Sequence, residues 1–170
     1  MPQVSALWQT DEMKPNSQSA DLADQIRRAF DGDAWHGDSV LELLAGVDAK
    51  QASARPIKNA HTIWELVLHI AAWDDAVLRR TGGKAVTLTD EENFPTVKDT
   101  GEAAWKKAVD HMKKTHDALI KDVAAFSDSD LLKQVPGKTG DHYNFYYMFS
   151  GIVQHELYHA GQIALLKKLV

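Results

Sequence analysis

Cysteine is absent from the 170 residues of this chain. Disulfide frameworks and thiolate metal sites are therefore excluded, and any metal must be held by His, Asp or Glu. Excess positive charge is also missing. The chain has 19 Lys and Arg against 24 Asp and Glu, and no basic stripe runs along it, so a phosphate-backbone binder is not expected. The one small basic cluster, Lys106, Lys107, Lys113 and Lys114, sits among acids. No apolar run approaches the roughly 20 residues needed to span a bilayer. The opening stretch "MPQVSALWQTDEMKPNSQ" has no basic segment followed by an apolar core. No signal peptide is therefore expected, and the protein is expected in the cytoplasm, with neither nucleic acid nor membrane as partner. Strand-length alternation is missing too, apart from "AVTLT" at 85–89, and no repeat or low-complexity tract stands out.

What is present is helical. The length suits an arm, 1–18, followed by a single domain, 19–170. A first helix fits "SADLADQIRRAFDG", with Leu22, Ile26 and Ala29 or Phe30 at helical spacing and a stop at Gly32. In "WHGDSVLELLAGV", Ser39 and Glu42 form a capping-box pattern ahead of a short helix that Gly46 ends. "DAKQASARPIKNA" reads as a polar link. The second long helix is "HTIWELVLHIAAWDDAVLRRTGG", opened by Thr62 with Glu65 and stopped by Gly82-Gly83. "KAVTLTDEENFPTVKDT" reads as a long polar connection. The third long helix spans about 101–126, with Trp105, Val109, Met112, Leu119, Val123 and Phe126 on one stripe. After "SDSDLLKQVPGKTGD", rich in turn residues, a fourth helix runs from about 142 to the end. These long amphipathic helices read as an all-α bundle. Their connections exceed the roughly 2–8 residues usual between neighbours in an up-and-down bundle. That leaves room for a crossover between the second and third helices, and for loop material over a site at one end.

The eight histidines carry the chemistry. His155 and His159, in "VQHELYHAGQIALLKKLV", are four residues apart, about 6 Å along a helix, and two imidazoles at that spacing can bind one ion. The apolar stripe Phe145, Met148 or Phe149, Ile152, Ile163 and Leu166 carries both onto the inward face. A polar side chain there costs free energy unless bonded or ligated. In the second helix the stripe runs Ile63, Leu66, Ile70, Trp73 and Val77, with His69 on its edge. Three neutral imidazoles would leave open positions for water or substrate. His116, between Met112 and Leu119, competes with His69 for the place of third ligand. Glu65 is placed to orient His69, and Gln162 to orient His159. His36, in "WHGD", is a pocket candidate at a bundle end. His61 and His142 sit near helix starts, and His111 is expected in solvent. Trp35, Trp64, Trp73 and Trp105 line a pocket or pack in the core, and spacing alone does not decide which.

His155-Glu156-Leu157-Tyr158-His159 is a literal H-E-x-x-H, the pattern of many zinc proteases. That reading is a minor alternative. Only "AGQIALLKKLV" follows His159, with no ligand in it, and Gln162 stands where the longer protease motif has glycine. Glu156 lies about 100° round the helix from His155 and receives no role. No strand offers an edge to an extended peptide.

"HTIWELVLHIAAWDDAVLRR", "GIVQHELYHAGQIALLKK" and "AWHGDSVLELL" together resemble the DinB/YfiT-like superfamily of metal-dependent enzymes, over most of the chain from about Ala20. The resemblance implies a four-helix bundle of up-down-down-up topology. It also implies a divalent metal on three histidines, which map onto His69, His155 and His159 and so favour His69 over His116. Thiol-dependent transferases, a mycothiol-dependent isomerase and proteins labelled hydrolases occur in that group, and many members are homodimers. The expected function is therefore activation of water or a low-molecular-weight thiol, acting on a small-molecule substrate. The ion expected is zinc or nickel, with iron and manganese also compatible with imidazole. The alternative is a non-enzymatic, stress-associated bundle that binds a ligand or partner around a structural metal.

Overall fold

A side chain on the fourth residue of each helical stretch decides where most of these helices begin. In a computed structural model describing residues 17–170, the elements are α1 (Gln18–Asp31), α2 (Val40–Leu44), α3 (Ala49–Ser53), α4 (Ile63–Thr81), α5 (Asp90–Asn93), α6 (Glu102–Ala125) and α7 (Phe145–Lys167), with a 3-10 turn at Asp128–Asp130. Complete capping boxes open α2 (Ser39 with Glu42), α3 (Asp48 with Gln51), α4 (Thr62 with Glu65) and α5 (Thr89 with Glu92). Each satisfies two backbone N–H groups that the helix itself leaves free. The expected arm, 1–18, lies outside the described residues except for Ser17, which caps α1, and Gln18, which begins it.

Two expectations are corrected by these boxes. The links read as polar and irregular contain α3 and α5, whose capping pairs Asp48-x-x-Gln51 and Thr89-x-x-Glu92 were in the sequence without a long apolar stripe behind them. The "AVTLT" stretch forms no strand. Val86 is buried, but its carbonyl accepts from Arg80 Nη2 at 2.9 Å rather than from a neighbouring strand. Among the described residues the only β-type pairing is an isolated bridge between Gln134 and Asn144.

The long helices pack in a closed ring. α4 lies against α6 and α7, and α1 lies against the same two. α2 covers α7 and α1, while α3 sits on α4 and α6. Trp105 Nε1 donates to the Val47 carbonyl at 2.8 Å, and Glu102 accepts from the Ala49 backbone at 2.9 Å, which fixes the α2–α3 segment to the start of α6. At the other end, the Asp128 carboxylate accepts from the backbone of Gln18 and Ser19, both at 2.9 Å, and from the Ser19 hydroxyl at 2.7 Å.

The core is divided in two. One apolar cluster gathers Trp64, Ile70, Trp105, Met112 and Ile163, and the other gathers Leu22, Ile26, Val77, Leu119, Phe149 and Ile152. The division falls at the same level on three helices. Asp74 lies between Ile70 and Val77, His116 between Met112 and Leu119, and Glu156 between Ile152 and Ala160; all three polar residues are buried.

The α4 cap positions the functional face, because His69 sits two turns after it. Replacing Thr62 by Ala removes the acceptor for the Glu65 N–H, 3.1 Å away. Thr62→Ala is expected to lower stability by about 1 kcal/mol, measured by urea unfolding, with an unchanged m-value.

Candidate metal centre

Where α4 meets α7, three imidazoles converge. The ring centroids of His69 and His155 are 5.0 Å apart, those of His69 and His159 4.7 Å, and those of His155 and His159 4.4 Å. His155 Nε2 lies 3.0 Å from His69 Nε2 and 3.0 Å from His159 Nε2. The outward nitrogens decide what these contacts are. His69 Nδ1 donates to the Asn93 carbonyl at 2.8 Å, and His159 Nδ1 donates to Gln162 Oε1 at 2.6 Å. Both partners are acceptors only, so both neutral rings carry their proton on Nδ1 and present a lone pair at Nε2. His155 can bring at most one Nε2 proton, enough for one of its two contacts. The other sets two lone pairs 3.0 Å apart. The His155 Nδ1 is buried with no partner among the described residues.

This donor set fits a cation. Burial, with the neighbouring His159 and His69, pushes His155 down to about 3. Burial pushes His69 down to about 4 despite the Asn93 bond, and burial also lowers His159. All three are neutral at pH 7, the state in which imidazole ligates a metal. An ion about 2.0–2.1 Å from each nitrogen spans separations of this size.

The connection after α4 completes the site. The α5 capping box sets Asn93, whose carbonyl holds His69 while its side-chain Oδ1 accepts from Trp73 Nε1 at 2.8 Å. Phe94 stacks on His69 at 4.1 Å and on His61 at 3.7 Å. Glu65 takes a different place from the one expected. Its carboxylate closes the α4 cap on Thr62 N at 2.8 Å and pairs with Arg55, so the group that orients His69 is the Asn93 carbonyl. Gln162 lies against His159. A cavity of about 240 Å³ opens beside His155, with Trp73, Met148 and Ile152 in its wall.

His116 stands apart from the three. Its Nδ1 is 3.0 Å from Asp74 Oδ2 and 3.6 Å from Glu156 Oε1, all fully buried, and Phe30 stacks on its ring at 3.7 Å. Burial raises Asp74 well above the usual carboxylate range. Burial and the nearby Asp74 push Glu156 up to about 8, and burial lowers His116. Each shift favours the uncharged form of its group, and His116 Nδ1 and Asp74 Oδ2 share one hydrogen bond. Sequence reasoning left Asp74 and Glu156 without a role. The signal was there, because Asp74 follows Ile70 by four and Glu156 follows Ile152 by four, which puts both on core stripes.

The remaining candidates scatter. His36 is exposed beside the fully exposed Trp35, on a separate groove with Arg28 and Val153. His61, His111 and His142 are exposed. Trp64 and Trp105 pack on each other in the core at 5.1 Å, while Trp73 is half-buried, 5.8 Å from His155.

The buried Asp74 gives a pH prediction. The native state holds its carboxyl proton above the unfolded value, about 3.9, so over that window the unfolded state binds fewer protons and stability falls as pH rises. Asp74→Asn removes this penalty and keeps the shape. Its thermal midpoint relative to the parent is expected to climb between pH 4 and pH 7, followed by circular dichroism. A difference independent of pH would contradict the raised carboxyl.

Comparison with known proteins now bears on this geometry. No curated protein and no solved structure matches the chain. A family model described as the DinB superfamily matches residues 34–163, which takes in α2 to α6, most of α7 and all three converging histidines. That span is well over half of the chain, and the protein belongs to the DinB superfamily.

Proposed function

We propose that the protein is a metal-dependent enzyme in which His69, His155 and His159 hold a divalent ion that activates water or a small thiol, in a thiol transfer or a hydrolysis. The observation that carries this reading is the convergence of three neutral Nε2 atoms, two with their lone pairs fixed inward by Asn93 and Gln162. When bound, such an ion with three neutral ligands supplies a full positive charge that makes water or a thiol more acidic near neutral pH. The chain's own residues orient and shield. Asn93 and Gln162 hold two rings, Phe94 covers one face of His69, and Trp73 is tied over the site by Asn93. Zinc and nickel suit the set, and iron and manganese also accept imidazole.

The cavity beside His155 favours an enzyme over a structural ion, because structural sites are closed while catalytic ones keep an open position. The helix directions fit the up-down-down-up arrangement of the family. Trp64 against Trp105 joins the starts of α4 and α6. Leu66 shares a wall with Leu166, and Val77 with Met148, which sets α4 against α7. Ser19 on Asp128 joins the start of α1 to the end of α6.

Four measurements test this. Metal content by mass spectrometry is expected to be near stoichiometric for the native protein and largely lost in His155→Ala. Gln162→Ala, which frees His159 without removing a ligand, is expected to weaken metal binding by about 10–100-fold. Unchanged stoichiometry in His155→Ala would sink the site. A chelator separates the two roles of an ion. Removing a catalytic ion from a preformed bundle is expected to lower the thermal midpoint modestly, by the lost linkage of one bound ligand, whereas collapse of the fold would favour the structural alternative. Turnover with a panel of small thiols and electrophiles decides for the enzyme.

A further inference from the structure

We infer that the cavity beside His155 receives a small organic carboxylate, whose charged group is held by Arg80. The inference deepens the metal-enzyme reading and rests on it for the role of the neighbouring ion, but not for the binding step itself.

Arg80 comes from the last turns of α4 and is 1% exposed. Its Nη2 donates to the Val86 carbonyl at 2.9 Å. Its Nε and Nη1 are buried with no hydrogen-bond partner, and no Asp or Glu among the described residues forms an ion pair with it. A guanidinium stays charged in proteins. The Trp73 ring lies beside it, 5.5 Å from Cζ to centroid. Burial and the neighbouring Arg79 work against its charge, and only Tyr143 supports it. A second cation stands close by, since Lys138 lies over the Tyr143 ring at 5.3 Å and Arg80 disfavours its charge. In a protein of net charge -5, this corner collects positive charge, and no carboxylate among the described residues pairs with either cation.

Burying an unpaired charge is costly, and the side chains that do so persist where a ligand supplies the partner. Arg80 lines the same cavity as His155. The rest of the wall is mostly apolar or aromatic, from Trp73, Val77, Met148, Ile152 and two tyrosines, with Gln154 as its other polar side chain. One buried guanidinium and an oily wall suit a monoanion with an apolar body better than a dianionic phosphate. A volume of about 240 Å³ falls below the roughly 300–1,000 Å³ of drug-sized sites, which limits the ligand to a small one. On α4, Arg80 stands eleven residues beyond His69, about 16 Å along the axis. The Arg80 side chain closes much of that distance, since Trp73 lies 5.5 Å from its Cζ and 5.8 Å from the His155 ring, so a carboxylate held by Arg80 leaves the rest of a small molecule directed toward His155.

The test uses benzoate as probe, with benzamide as its neutral counterpart and inorganic phosphate as the competing anion. Each is titrated into the full chain by calorimetry, first after chelation and again after zinc loading. Benzoate is expected to bind in both states, and benzamide at least about tenfold more weakly. Arg80→Met should weaken benzoate at least about tenfold while leaving zinc content and thermal midpoint no lower than in the parent; Arg80→Lys should retain part of the affinity. Equal benzoate affinity in the parent and Arg80→Met, or equal binding of benzoate and benzamide, overturns the assignment. So does the absence of benzoate binding at millimolar concentration. Tighter binding of phosphate than benzoate overturns the carboxylate class. A midpoint far below the parent in both Arg80 variants assigns the guanidinium to the fold instead and equally overturns the proposal. Failure of the metal reading would look different: zinc would not load, while benzoate binding persisted.

Discussion

Three helices carry an ionisable side chain into the middle of the core at one level, and the organisation of the molecule follows from having to satisfy them. Asp74, His116 and Glu156 have no access to water. Ionised and unpaired, each would cost several kcal/mol or more. Burial favours the uncharged form of each, Asp74 and His116 share a hydrogen bond, and Phe30 closes the imidazole from one side, while both Glu156 oxygens have no hydrogen-bond partner among the described residues. The apolar core then has to exist as two clusters above and below this layer. α1, α4, α6 and α7 each contribute to both, so the register of all four is tied to the same polar level.

The histidine centre is built on the edge of that frame and finished by a connection. Long connections in compact domains are usually functional, and the 82–101 segment fits that pattern. Its short helix brings one residue, Asn93, to bond His69 through the backbone and Trp73 through the side chain. Helices alone would leave the His69 ring free to turn and its tautomer undetermined. The connection therefore does what a hydrogen-bonding partner does in any metal site: it fixes which nitrogen holds the lone pair.

Much of this could be read from the sequence, and the parts that could not share a physical reason. Residues whose role follows from helical periodicity were legible. The long helices, their caps at Ser39 and Thr62, and the inward pair His155 and His159 all depend on spacing along one element. His69 was only one of two candidates by periodicity, because the choice between it and His116 depends on which neighbour α7 faces. Asn93 was not legible at all, since its part is played by a backbone carbonyl, which every residue carries. Glu65 was assigned to His69 by the four-residue rule, but a capping position already claimed its carboxylate. Arg80, near the end of α4, carries no distinguishing signal in the sequence. Its isolation depends on what the fold places around it.

One consequence lies in two consecutive letters of the chain. His155 turns toward the half-open centre, while Glu156, about 100° away, is locked in the dry layer with Asp74 and His116. The two residues clamp the rotational phase of α7 from two adjoining faces. Turning the helix to widen the histidine centre would drag a carboxyl out of its shelter, and slipping it by a residue would exchange the two environments. α7 thus behaves as a fixed rail. Adjustment of the centre is left to the parts outside that clamp, the Asn93 connection and the Gln162 side chain, which can move without disturbing the frame.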